Sequence, residues 1–82
     1  MKVYLYSTVG CHLCEHAKAV LWPLLLHYQF RLKEIDIAED DELIEKYGTR
    51  IPVLAAANYS IELNWPFTTQ DVDAFFVEIT KL

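Results

Sequence analysis

A change of hydrophobic period early in the chain constrains its fold more than any other feature. Residues 2–6, Lys2-Val3-Tyr4-Leu5-Tyr6, form a compact apolar run that suits a strand buried on both faces. Ser7-Thr8-Val9-Gly10 then turns the chain. Beyond it, apolar residues recur at Leu13, Ala17, Val20, Leu21, Leu24 and Tyr28, spaced by three and four, which makes one face of a helix. Cys11 sits in the first turn of that helix. Pro23 falls inside the pattern, where its ring removes one hydrogen bond and crowds the carbonyl of Ala19, so a kink rather than an end is expected.

The same reading continues downstream. Phe30 to Ile37 reads as a second strand, and the switch of apolar parity between Leu32 and Ile35 predicts an edge or slightly bulged strand. The acidic residues Glu39, Asp40, Asp41 and Glu42 suit the positive end of a helix that closes at Gly48 and carries Leu43, Ile44 and Tyr47 on one face. Two apolar runs, 52–56 and 59–63, flank Ala57-Asn58 as a hairpin. Thr68 or Thr69 caps a last helix bearing Val72, Phe75, Phe76 and Ile79. The predicted order is β-α-β-α-β-β-α. Its first two strands are parallel, and the hairpin adds antiparallel partners in one four-stranded mixed sheet with three helices.

Composition narrows the function. An 82-residue chain that is 54% hydrophobic has apolar mass for one core, so a single domain over 1–82 is expected. A net charge of −5 offers no electrostatic footprint for nucleic acid. The longest apolar stretch, Ala19 to Leu26, is interrupted by Pro23 and is far short of a membrane span, so neither nucleic acid nor membrane is expected as a partner. The chain opens directly on its strand-like run without an apolar leader, and a cytoplasmic location is the expectation.

The two cysteines are poorly placed as a staple. Closing so short a loop removes only about 2 kcal/mol of unfolded-state entropy, against about 4.7 kcal/mol for a loop of about 100 residues. A close intracellular pair fits redox or metal chemistry better. At the start of a helix, Cys11 meets unsatisfied amides that favour thiolate over thiol, and Cys14, one turn on, is placed to attack a mixed disulfide formed by Cys11. Two other readings stay open: an inert buried pair, and a metal site, although tetrahedral zinc wants four ligands and only His12 and His16 lie nearby. His12 is expected to face solvent and to modulate Cys11, while His16 and His27 read as helix-surface residues. Trp65 and Phe67 read as core or groove wall, and Tyr6 as core.

A strand, a turn and Cys-x-x-Cys opening a helix, followed far downstream by Thr49-Arg50-Ile51-Pro52-Val53, resemble glutaredoxin over nearly the whole chain. The resemblance is closest to small bacterial glutaredoxin-like proteins, in which Ile51-Pro52-Val53-Leu54 and Trp65-Pro66-Phe67 also look familiar. It implies a thioredoxin-like α/β fold and thiol-disulfide oxidoreductase activity. By the same resemblance Pro52 follows a cis bond and shapes a groove facing the cysteines, and the backbone of Ile51 pairs with an extended thiol peptide such as glutathione. Arg50, two positions before Pro52, is a candidate grip for a substrate carboxylate, the alternative being a surface salt bridge. Thr8 and His12 complete the expected substrate-binding set. Two stretches depart from the family pattern. Ser7-Thr8-Val9 stands where the family carries a lysine, and Leu63-Asn64-Trp65-Pro66 stands where it has a Gly-Gly pair followed by acids. Both family features hold glutathione, so weakened glutathione binding is expected.

The expected function is therefore a dithiol enzyme acting on protein or small disulfides, with no bound cofactor or metal and with glutathione as the candidate reductant. A monomer is expected. The competing reading is a binding module that presents the Pro52 groove to a protein partner while the cysteines stay idle.

Overall fold

The computed structural model describes residues 1–57 and 59–81. Its elements are β1 (Lys2–Ser7), α1 (His12–Tyr28), β2 (Arg31–Asp36), a 3-10 turn (Ile37–Glu39), α2 (Asp41–Tyr47), β3 (Val53–Ala56), β4 (Glu62–Asn64) and α3 (Thr69–Thr80). The sheet order is β2-β1-β3-β4. β1 and β2 are parallel, and β3 is antiparallel to both of its neighbours. Element order and sheet type are those predicted from the sequence.

The two faces of the sheet differ more than the apolar run 2–6 implied. Val3, Leu5 and Ser7 of β1 are buried, whereas Tyr4 and Tyr6 between them are only half-buried. Side chains alternate along a strand, so one face packs into the main core and the other does not. In that core Val3, Leu5 and Leu54 meet Leu21 and Leu25 of α1 and Phe76 of α3. The opposite face carries a smaller cluster of Ile37, Tyr47 and Val53, with Tyr6, Leu43 and Ile51 packed against it. α2 is a single short helix and covers only this end of the sheet.

Local signals explain most of the elements. The buried residues of α1 are Cys14, Ala17, Leu21 and Leu25; Val20, Leu24 and Tyr28 of the predicted face pack half-buried against the core, Leu25 joins it unpredicted, and Leu13 is exposed. The helix passes through Pro23, which lies on its exposed side, and ends at Gln29 in the left-handed region, φ 58°. β2 is an edge strand as expected, but its register with β1 runs unbroken from Lys2 and Arg31 to Ser7 and Asp36, without a bulge. The parity switch has a simpler cause: Leu32 packs against the main core, and Ile35 pairs with Tyr6 on the opposite face. Asp40 caps α2, its carboxylate accepting the Glu42 N–H at 2.9 Å, so Glu39 belongs to the preceding turn. Tyr47 of α2 is buried, but Ile44 is exposed. In the hairpin, Tyr59 and Ser60 lie in the turn rather than in β4, and Asn58 lies outside the described residues. Thr68 and Asp71 form a reciprocal capping box at the start of α3, whose buried residues are the four predicted.

Phe76 is fully buried and touches Tyr28 edge to face, with Phe30 at 4.8 Å between ring centroids. Phe76→Ala should lower the unfolding free energy by about 3–5 kcal/mol, measured by urea titration, because the cavity forms where α1, α3 and the sheet converge. Tyr47 supplies a second test. Burial, then its hydrogen bond to Glu62, then the neighbouring Tyr6 hold its phenol well above the ordinary tyrosine range. The unfolded chain loses this proton near pH ~10, so the stabilisation is complete below that value and is lost as pH rises beyond it. The urea midpoint should fall above about pH 10, and more steeply in the wild type than in Tyr47→Phe.

Candidate functional site

The site is built where β1 hands the chain to α1. Gly10, at φ 83°, makes the turn, and the Cys11 N–H donates to the Thr8 carbonyl at 3.3 Å. Cys11 is the N-cap of α1, and its Sγ accepts the Cys14 N–H at 3.1 Å. A side-chain acceptor at this position satisfies one of the amides that a helix start leaves without a partner. The two sulfurs form a disulfide, with Cα atoms 5.3 Å apart. Their surroundings differ: Cys11 is half-buried, whereas Cys14, in the first turn of α1, is 2% exposed.

The register of β3 against β1, with Tyr6 opposite Val53, brings Pro52 level with Ser7 at the same end of the sheet as the cysteines. The Ile51–Pro52 peptide bond is cis, as is Trp65–Pro66. Beside this loop lies a groove of about 370 Å³ lined by Leu13, Thr49, Arg50, Ile51, Asn64 and Trp65. Leu13, between the two cysteines in sequence, is 46% exposed because it forms a wall of this groove rather than part of the core. Trp65 forms another wall and sits edge to face on the buried Phe67, ring centroids 5.0 Å apart.

Of the sequence-predicted site residues, the fold brings Arg50 and Ile51 into this groove, with Pro52 buried next in the chain. Thr8 lies elsewhere. It lines a separate hollow of about 420 Å³ with Glu15, Glu34 and Asp36. There the buried Ser7 donates its hydroxyl to Glu34 at 2.8 Å, and Lys18 bridges Glu15 and Glu34 at 3.1 and 3.2 Å. Hydrogen bonds to Glu15 and then Glu34 push the Lys18 ammonium above its ordinary range. His12 is exposed at the start of α1 and lines neither hollow. His16 and His27 are exposed. Tyr6 packs against the smaller cluster, stacked on Tyr47 with ring centroids 4.1 Å apart.

Arg50 does not stand alone. Its guanidinium donates to the Lys46 carbonyl and to Asn64 Oδ1 at 3.3 and 3.4 Å, and it lies 3.5 Å from Glu62 Oε1. Glu62 and Asn64 alternate along β4 and so share a face. Sequence reasoning missed both, together with Leu13 and Thr49 as groove walls. The available signal was the polar alternation of Glu62 and Asn64 around Leu63. Among the described residues, no three His, Cys, Asp or Glu side chains come together as a metal site. Nor is any helix among those residues long and apolar enough to cross a membrane.

Comparison with known proteins gives this geometry a family. Residues 2–76 match the family model described as glutaredoxin-like domain (DUF836). The crystal structure of protein XcR50 from X. campestris superposes with a TM-score of 0.79 at 30% identity, covering 93% of this chain and 96% of that one. The solution structure of protein Ne2328 from Nitrosomonas europaea has a TM-score of 0.77 at 35% identity, covering 90% of this chain and 88% of that one. Thioredoxin 1 from Thermosipho africanus, at 15% identity, shares the fold with a TM-score of 0.69 over the full length of both chains. No curated protein matches the chain. With a Cys-x-x-Cys pair capping the first helix of a thioredoxin fold, this chain belongs to the glutaredoxin-like domain family.

Proposed function

We propose that this protein is a thiol-disulfide oxidoreductase in which Cys11 attacks and Cys14 resolves. The observation that carries the reading is the unequal setting of two cysteines close enough to bond. Cys11 is accessible at a helix start and accepts a backbone N–H, and Cys14 is enclosed behind it.

Each step balances. The Cys11 thiolate attacks one sulfur of a substrate disulfide, the substrate S–S bond breaks, and one substrate thiolate leaves. The Cys14 thiol passes its proton to the released substrate thiolate, and its sulfur attacks Cys11 Sγ, releasing the second substrate thiolate and closing the Cys11–Cys14 disulfide. Two electrons pass from the protein dithiol to the substrate. A second pair must return from an external thiol reductant, for which glutathione is the candidate. The thiolate of Cys11 is a better acceptor for the Cys14 N–H than the thiol is, so the cap favours the reactive form. The groove beside Ile51 gives an extended thiol peptide main-chain groups to pair with.

Turnover of a small disulfide by the reduced protein, coupled to an excess of reductant, tests the reading. Cys11→Ser should reduce the rate by roughly three orders of magnitude or more. Cys14→Ser should stop at a mixed disulfide on Cys11, seen as a mass increase of one substrate thiol. Full activity of Cys11→Ser, or a mixed disulfide found on Cys14 in the wild type, would refute the assignment.

A further inference from the structure

We infer that Glu62 governs the charge preference of the groove by neutralising Arg50 from outside it, so that the protein discriminates against carboxylate-bearing thiols and disulfides. This inference rests on the redox reading above for the kind of ligand the groove takes.

Arg50 is a cation on the groove wall, two residues before the cis proline, where a substrate carboxylate would meet it. Its guanidinium is nevertheless committed elsewhere. One nitrogen faces Glu62 at 3.5 Å, another donates to Asn64, and the group lies 5.1 Å above the Tyr47 ring. Glu62 does not line the groove. It belongs to a separate hollow on the same sheet face, shared with Lys46, Tyr47 and Tyr59. Its pull on Arg50 therefore comes from outside the groove.

Glu62 is in turn held in place. Its second oxygen accepts the Tyr47 hydroxyl. The Arg50 and Glu62 side chains are 39% and 25% exposed, open enough for a ligand to reach the guanidinium and enclosed enough for the pairing to persist. Lys46 supplies no replacement in the groove, because its ammonium sits over the Tyr47 ring at 5.1 Å and lines the other hollow. A substrate carboxylate thus meets a cation already compensated by a fixed anion. An uncharged substrate loses nothing by comparison.

Glu62 is a positioning residue, since it acts through Arg50. Glu62→Gln tests it cleanly, because the amide oxygen still accepts from Tyr47 while the charge is removed. The probe is S-methylglutathione, a thioether that cannot exchange with the cysteines, titrated into the full-length protein while backbone amide shifts are followed. Its dimethyl ester, with both carboxylates masked, is the control. Glu62→Gln should bind the free acid roughly threefold to tenfold more tightly than the wild type does, with the ester unchanged. Adding Arg50→Gln should abolish the gain. Binding of the free acid no tighter than in the wild type, including no binding at all, would overturn the inference, as would a gain that persists without Arg50 or is shared by the ester. Turnover of bis(2-hydroxyethyl) disulfide by the wild type separates the two claims. Its absence refutes the redox reading, whereas the titration alone decides the role of Glu62.

Discussion

The parallel pairing of β1 with β2 is the constraint on which the rest of the structure depends. Parallel neighbours cannot be joined by a tight turn, so the chain must cross over, and α1 is the crossover. That path starts α1 at the end of the sheet where β1 finishes. The helix start and the end of the central strand then share one place, and a cysteine there is both a cap and a surface group. The cysteine pair owes its position to sheet topology as much as to its place in the sequence.

Packing on the two faces of the sheet divides the work. Val3, Leu5, Leu54 and Phe76 are fully buried where the sheet meets α1 and α3, and large-to-small changes cost most there. The other face is thinner. α2 meets it with Tyr47, and the stacked Tyr6 and Tyr47 rings take the place of a second full layer. Because those rings are tyrosines, their burial brings polar groups that need partners, and Tyr47 finds Glu62. The thinner face therefore links stability to the site, through a chain of contacts running from Tyr47 to Glu62 to Arg50.

That chain also gives the departures from the glutaredoxin pattern a physical setting. The stretch Leu63-Asn64-Trp65-Pro66 does not leave the groove bare, because Asn64 engages Arg50 and Trp65 stands as an aromatic wall. Thr8, in the stretch where the family carries a lysine, faces a hollow already rich in carboxylates from Glu15, Glu34 and Asp36. The Lys18 ammonium is spent on two of them. Among the described residues, neither hollow beside the cysteine pair therefore presents an uncompensated cation of the kind the family resemblance implied.

Much of this was legible in the sequence because it depends on near neighbours. The change from strand run to helical spacing, the acidic start of α2, the threonine cap of α3 and the Cys-x-x-Cys at a helix start are encoded within a few residues of one another. Hydrogen bonding and period over such distances do not depend on the rest of the fold. That Leu25 is buried more deeply than Leu24, which also packs against the core, was not legible, since it depends on how the helix lies across the sheet. The destination of Arg50 was equally hidden. Glu62 and Asn64 reach it only because the hairpin returns β4 beside β3 in one particular register. The sequence by itself determined the elements, their order and the placing of two cysteines at a helix start. Only the tertiary structure decided which charges meet in the groove, because contacts between distant residues are set by sheet register and helix docking, which no local pattern carries.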